Sequence, residues 1–93
     1  IFEDQEGKMN RSLLDIQGGL LLVSQFTLYA NTQKGRRPSF TEAMPPAEAK
    51  RLFAELVESA KTLFDIDVQT GQFGAEMHIQ LCNEGPVTLH LES

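Results

Sequence analysis

Polar residues interrupt the most apolar stretch of the sequence. Residues 24–27, Ser-Gln-Phe-Thr, follow directly after the four apolar residues 20–23. A buried strand does not turn polar unless its polar groups find hydrogen-bond partners or a ligand. Residues 24–27 are therefore either the polar floor of a binding pocket or a strand end whose hydroxyl groups bond to nearby backbone.

A Gly-Pro pair marks a second candidate segment, residues 83–88 (Asn-Glu-Gly-Pro-Val-Thr). Glycine allows unusual backbone geometry, and the peptide bond before proline can be cis. Thr88 supplies a hydroxyl group, but no base is evident beside it that could make it a nucleophile. The segment is either an ordinary hairpin corner or a turn that contacts a substrate.

Positive charge is concentrated at one place in an acidic chain. Lys34, Arg36 and Arg37 lie within four residues, whereas the 93-residue chain has 8 Lys and Arg against 13 Asp and Glu, a net charge of −5. This balance argues against nucleic-acid binding by an overall basic field. The short basic run fits either a local phosphate site or a solvated loop.

The remaining reactive side chains form no catalytic pattern. His78 and His90 are expected on outward strand faces and lack a metal-ligand spacing. Cys82, the only cysteine, is expected to be a small buried hydrophobe and can form no intramolecular disulfide. No Ser-His-acid arrangement is visible. We therefore expect no metal, no cofactor and a reducing, cytoplasmic location.

The periodicity of apolar residues predicts the elements that position these segments. We expect a central strand over residues 20–29, a helix from Pro46 to about Leu63, a short strand over 66–69 and a turn over 71–74. Residues 75–82 and 87–91 alternate between apolar and polar, which predicts two half-buried strands. The helix is expected to cover the sheet with one apolar stripe, formed by Leu52, Phe53, Leu56, Val57, Ala60 and Leu63.

Length and composition predict one domain over residues 1–93, and the predicted helix and strands make it α/β. A chain this short builds a single core, and 41% hydrophobic with 23% charged residues is typical of a folded soluble protein. No apolar run approaches the ~20 residues that cross a bilayer, and residues 1–4 do not resemble a signal peptide. A membrane location is not expected.

Four segments, in the same order and spacing, resemble the D-aminoacyl-tRNA deacylase family. They are Val-Ser-Gln-Phe-Thr-Leu (23–28), Lys-Gly-Arg-Arg-Pro-Ser-Phe (34–40), Thr-Gly-Gln-Phe-Gly-Ala-Glu-Met (70–77) and Asn-Glu-Gly-Pro-Val-Thr (83–88). Family members begin with a strand hairpin and a helix that precede the segment similar to Ile1-Phe2. The resemblance therefore implies the C-terminal part of a family domain, with mixed β-sheet layers covered by a helix and an incomplete N-terminus.

The resemblance implies a cytoplasmic homodimer that hydrolyses the ester of D-aminoacyl-tRNA and of glycine mischarged onto tRNA. Gly85 and Pro86 match a cis pair that one subunit presents to its partner's pocket to exclude L-amino acids, and Asn83 belongs to the same motif. The alternative is a non-catalytic remnant that dimerises or binds tRNA. A small-molecule esterase is disfavoured, because no nucleophile elbow is visible.

The resemblance also assigns roles to the other segments. Ser24, Gln25 and Phe26 match the opposite pocket wall, where backbone N–H groups hold the ester carbonyl. Thr88 matches a threonine considered as a nucleophile, but we prefer hydrolysis assisted by the 2′-OH of the terminal ribose. The adenosine pocket is matched by Phe73, Gly74, Ala75 and Met77, and tRNA phosphates are expected at Lys34, Arg36 and Arg37.

Overall fold

The computed structural model describes all residues from 1 to 93. The elements in chain order are β1 (Phe2–Glu3), β2 (Met9–Arg11), β3 (Leu20–Leu22), a single-turn 3₁₀ helix (Phe26–Tyr29), α1 (Pro46–Leu63) and β4 (Val68–Thr70). β1 and β2 form an antiparallel hairpin, whereas β3 and β4 pair in parallel, with Leu20 opposite Val68 and Leu22 opposite Thr70. A helix, a hairpin and a parallel pair make the fold mixed α/β.

The helix α1 lies where the sequence predicts it. Pro46 occupies the first helical position, where its missing N–H costs no hydrogen bond. Glu48 in the first turn and Lys61 in the last have charges that suit the helix dipole. Arg51 and Glu55, one turn apart, form an exposed ion pair.

Only half of the predicted apolar stripe of α1 is covered. Val57 and Ala60 are buried and Phe53 is half-buried, on the face that packs against β4. Leu52, Leu56 and Leu63 are exposed, so the expectation of a single covered stripe is wrong for them. The two-stranded pair β3–β4 is too narrow to cover both rows of the helix.

The predicted central strand is shorter than expected. β3 ends at Leu22 because its partner β4 ends at Thr70, and residues 26–29 form the 3₁₀ helix instead of continuing the strand. The strand predicted over residues 66–69 is present, displaced to 68–70. The turn predicted over 71–74 is also present, and its hydrogen bond runs from the Ala75 N–H to the Gln72 carbonyl.

Residues 75–82 and 87–91 do not form the predicted strands. Residues 76–93 make no backbone–backbone hydrogen bond at all, and Ile79, Leu81 and Leu89 are exposed. Alternation predicts which side of a segment is apolar, but a strand exists only where a second strand pairs with it. Cys82, expected to be buried, is exposed for the same reason.

The hairpin β1–β2 is an element that the sequence analysis missed. Its turn is organised by Asp4, whose Oδ1 accepts the N–H groups of Glu6 and Lys8, both at 2.9 Å. Gly7 has a φ of +76°, which glycine adopts without strain. An aspartate followed by a glycine three residues later is the signal that could have identified this turn.

The chain exposes far more surface than a compact protein of its mass. Its accessible area is 8713 Å² and its radius of gyration is 16.2 Å. A compact chain of this size is expected to expose about 5,400 Å² and to have a radius of gyration of about 12 Å. Only Val57, Ala60 and Val68 are buried, so the core is the small contact between α1 and the β3–β4 pair. Neither helix combines the length and apolar character that spanning a membrane requires.

Candidate active site

Two of the predicted site segments leave the same edge of the β3–β4 pair. The last hydrogen bond of this parallel ladder runs from the Gly71 N–H to the Leu22 carbonyl, at 3.0 Å. The pocket wall, residues 24–27, follows β3, and the glycine turn, residues 71–77, follows β4. Parallel strands place their carboxyl ends together, and ligands commonly bind outside that edge. The structure thus brings the two segments together.

The pocket wall presents unused hydrogen-bond donors. The backbone N–H groups of Ser24 and Gln25 donate to no acceptor within the chain. The side-chain amide of Gln25 donates to the Thr27 hydroxyl oxygen, which holds both polar side chains locally. Ser24 is half-buried and Gln25 exposed, so an incoming oxygen atom could reach the free N–H groups. A backbone N–H that is free in this way can stabilise a carbonyl oxygen or an oxyanion.

The glycine turn folds the Met77 side chain back to the strand edge. The Gln72 N–H donates to the Met77 sulfur at 3.3 Å. A Cβ on residue 71 would lie 2.8 Å from that sulfur and 3.5 Å from a methyl group of Val23. Met77 therefore lies half-buried at the junction between the glycine turn and the residue that precedes the pocket wall.

The helix α1 packs against the glycine turn through one aromatic pair. The rings of Phe53 and Phe73 have centroids 6.1 Å apart and are tilted by 41°, a favourable aromatic contact. Gly74, the next residue of the turn, has a φ of +73°, in the region that favours glycine. The predicted site residues Phe73, Gly74 and Ala75 are thus fixed by α1 and by the turn hydrogen bond of Ala75.

The Gly-Pro segment, residues 83–88, has no hydrogen bond with the other two segments of its own chain. The Gly85–Pro86 peptide bond is cis, as predicted. A Cβ on residue 85 would overlap the backbone nitrogen of Val87. No hydrogen bond or ion pair joins the Gly-Pro segment to the pocket wall, and the exposed Thr88 hydroxyl has no hydrogen-bond partner. Asn83 is likewise exposed.

The basic residues lie on a loop with a fixed base. Asn31 and Ser39 exchange two backbone hydrogen bonds, of 2.8 and 2.9 Å, which close the basic loop (residues 31–39). The Asn31 side chain also accepts the Gln33 N–H at 3.0 Å. The cationic side chains are exposed and form no ion pair with an acidic residue; they are Lys34, Arg36 and Arg37. The loop can therefore offer three unpaired charges to an anionic ligand.

Two aromatic residues near the candidate site were missed by the sequence analysis. Phe40, directly after the basic loop, packs edge-on against Phe26 of the pocket wall, with ring centroids 5.2 Å apart and planes at 69°. Phe53 supports Phe73 from the helix. The sequence separations of 14 and 20 residues carry no periodic signal, so only the tertiary structure shows these pairs.

The two carboxyl groups with shifted pKa values belong to N-terminal turns. The Lys8 N–H, followed by that of Glu6, lowers the pKa of Asp4. The pKa of Asp15 is lowered first by the Ser12 N–H and then by the Ser12 hydroxyl. His78 is exposed and His90 lies 3.6 Å from Glu92. No three His, Cys, Asp or Glu side chains converge as a metal site would require.

Comparison with known proteins decides the family. The family profile described as D-Tyr-tRNA(Tyr) deacylase matches residues 1–92. The chain belongs to this deacylase family. The resemblance drawn from the four motifs is therefore confirmed.

Individual deacylase relatives match the whole chain. A D-aminoacyl-tRNA deacylase of Pseudomonas aeruginosa is 60% identical over 93 residues, which are 100% of this chain and 63% of that protein. A second, from Thermosipho africanus, is 57% identical and matched over 62% of its length. The chain thus spans less than two thirds of the length of these deacylases.

A solved structure shares the fold of this chain. The protein named c-Myc DNA Unwinding Element Binding Protein superposes with a TM-score of 0.87 at 39% sequence identity. The match covers 99% of this chain and 62% of that one. The predicted mixed α/β fold class is thereby confirmed.

Proposed function

We propose that the protein hydrolyses the ester bond of D-aminoacyl-tRNA in the cytoplasm and releases the D-amino acid and free tRNA. The observation that carries this proposal is the meeting of the pocket wall and the glycine turn at one strand edge. The names of its relatives, D-aminoacyl-tRNA deacylases, support the same activity.

The pocket wall supplies the electrostatic part of the reaction. The Ser24 and Gln25 N–H groups, free within the chain, bind the ester carbonyl and stabilise the oxyanion that develops on it. Phe26, next in the wall, borders the same site. Catalysis by backbone donors requires no acidic or basic side chain, and none is hydrogen-bonded to these residues.

The glycine turn receives the terminal adenosine. Met77 offers a polarisable sulfur at the junction with the pocket wall, and Phe73 offers an aromatic ring beside α1; both side chains are half-buried. Such side chains pack well against a base. Gly74 and Ala75 keep the turn small, so that the nucleoside can approach the backbone.

The Gly-Pro segment acts as the chiral filter of a second subunit. Because Gly85 and Pro86 have no polar contact with the pocket wall of their own chain, they are free to enter that of a partner. Backbone groups that test only the α-carbon exclude an L side chain and accept many D side chains. Glycine, which has no side chain, passes the same test. The protein is accordingly proposed to act as a homodimer.

Hydrolysis is assisted by the substrate. The Thr88 hydroxyl has no hydrogen-bond partner and no neighbouring base, so it lacks the activation that a nucleophilic threonine needs. The 2′-OH of the terminal ribose, held beside the ester, activates the attacking water. Asn83 contacts the substrate from the filter side.

A non-catalytic role as a dimerisation or tRNA-binding unit is the second candidate. The accessible area of 8713 Å² and the unpaired residues 76–93 favour it, because such a chain has surface to cover. The two candidates differ in one measurement. The chain is tested alone and joined to the N-terminal segment of the Pseudomonas aeruginosa relative, here called the family-length protein. Release of D-tyrosine from D-tyrosyl-tRNA by either supports the enzyme, and tRNA binding without release by both supports the second candidate.

A further inference from the structure

We propose that Phe40 is a positioning residue that couples the basic loop to the pocket wall. This inference rests on the proposed deacylase function. Phe40 is the first residue after the loop and packs edge-on against Phe26, at a centroid distance of 5.2 Å. The contact joins the residue that leaves the basic loop to the pocket wall, which is proposed to hold the ester.

The geometry of the basic loop allows this contact to pass a movement of the loop on to the pocket wall. The basic loop closes through the two hydrogen bonds between Asn31 and Ser39. Residues 26–29, the 3₁₀ helix, enter the loop, and Phe40 returns from it. The two ends of the loop are therefore joined by two contacts, the backbone hydrogen bonds and the aromatic pair. A displacement of the loop on binding an anion would shift Phe40 and, through the ring contact, Phe26.

Phe40 is also held by the turn that follows it, so its position does not depend on the basic loop alone. Its carbonyl accepts the Ala43 N–H at 3.1 Å, in the turn that leads to α1. Ser39 and Thr41 share a hydroxyl hydrogen bond of 3.2 Å across it. Phe26, by contrast, is 61% exposed and Phe40 is its one aromatic neighbour. The Phe40 ring is therefore the aromatic contact that holds the orientation of the largely exposed Phe26 side chain.

The role predicts a particular kinetic pattern. Phosphate binding by Arg36 and Arg37 depends on charge, which Phe40 does not alter. Loss of the ring therefore leaves the salt dependence of tRNA binding unchanged, whereas kcat falls because the pocket wall is no longer aligned. An edge-to-face pair of this kind corresponds to about a three- to tenfold change.

The test measures kcat, KM and the salt dependence of tRNA binding for four forms of the family-length protein: the parent, Phe40→Ala, Phe40→Tyr and Phe2→Ala. Phe2 is as exposed as Phe40, at 40% against 36%, and belongs to β1. We expect Phe40→Ala to lower kcat about three- to tenfold with an unchanged salt slope, Phe40→Tyr to restore kcat, and Phe2→Ala to leave it unchanged. Equal loss in Phe40→Ala and Phe40→Tyr, or no loss in either, would overturn the proposal.

A double-mutant cycle separates coupling from general damage. Arg36→Gln with Arg37→Gln is measured in the parent and in the Phe40→Ala background. Coupling predicts that neutralising the arginines lowers kcat less when Phe40 is absent. Fully additive losses would contradict coupling while the parent remains an active deacylase. Inactivity of the parent would instead contradict the proposed function itself, so the two failures are distinguishable.

Discussion

The Met77 sulfur lies 2.8 Å from the position that a Cβ on Gly71 would occupy. The glycine is thus what allows the thioether to lie against the end of β4, beside Val23 and the pocket wall. Its hydrogen bond from the Gln72 N–H fixes it there. Because residue 71 has no Cβ, Met77 can occupy the position in which it is proposed to contact the terminal adenosine.

Gly71→Ala is expected to displace Met77 and to raise KM for the aminoacyl-tRNA. The crowded atoms are the last two of a flexible side chain, the Met77 sulfur and its methyl group, so the protein still folds, at a cost of about 1–3 kcal/mol. Gly18→Ala is the matched control, since its Cβ would lie 2.7 Å from a methyl group of Leu13, outside the site. Thermal unfolding and KM are measured for both. Equal KM values in the two variants would contradict the role of Met77.

Gly85→Ala is expected to misplace the Gly-Pro segment and so to lower kcat/KM for D-tyrosyl-tRNA by about 100-fold. The added methyl group would overlap the backbone nitrogen of Val87, which cannot move aside as a side chain can. Stability should change little, because residues 76–93 make no backbone hydrogen bond within the chain. Glu84→Ala, at the exposed neighbouring residue, serves as the control. Parental activity in the Gly85→Ala protein would show that the Gly-Pro segment is not part of the active site.

Thr88→Ala is expected to keep kcat within about threefold of the parent. Its hydroxyl group has no hydrogen-bond partner and no base to activate it. Single-turnover kinetics and intact-protein mass spectrometry during turnover provide the measurement. A covalent aminoacyl ester on Thr88 would contradict hydrolysis assisted by the substrate.

Replacing Arg36 and Arg37 together with glutamine is expected to weaken tRNA binding and flatten its salt dependence. Two lost phosphate contacts reduce the slope of log affinity against log salt by about 1.5. Binding is measured at several salt concentrations, with Lys8→Gln combined with Lys61→Gln as the control of equal charge. If both double variants have the same slope, the basic loop is not the phosphate site.

The N-terminal turns are expected to lose stability in acid. The folded pKa of both Asp4 and Asp15 lies below the ordinary 3.8, because backbone N–H groups stabilise each carboxylate. Their contribution is therefore complete above that value and is lost as the pH falls through the lowered pKa. Asp15→Asn should flatten the pH dependence of unfolding below about pH 4. Asp65→Asn, at a carboxyl group that accepts no hydrogen bond, is the matched control. Identical profiles for the two variants would refute this.

The sequence predicts those parts of the fold that depend on local signals. The helix from Pro46 to Leu63 is confirmed, because a proline start and apolar spacing are properties of the segment itself. The strands expected over residues 75–82 and 87–91 are absent, because pairing depends on a partner that alternation cannot reveal. The parallel pairing of Leu20 with Val68 was likewise not evident, since 48 residues separate them.

In the candidate site, too, local signals could be read from the sequence and contacts between distant segments could not. The residues of the pocket wall and glycine turn could be named from motifs, yet their meeting depends on the shared edge of β3 and β4. The contacts of Phe26 with Phe40 and of Phe53 with Phe73 arise from tertiary packing alone. Motifs thus indicate the candidate site segments, whereas the residues that position these segments become visible only in the packed structure.

Chiral ester hydrolysis is tested most directly by comparing the cleavage of D-tyrosyl-tRNA and L-tyrosyl-tRNA by the family-length protein and by the 93-residue chain. We expect release of D-tyrosine at a rate far above that of L-tyrosine, and loss of this preference in Gly85→Ala. Equal rates for the two esters, or tRNA binding with no release of either amino acid, would contradict it.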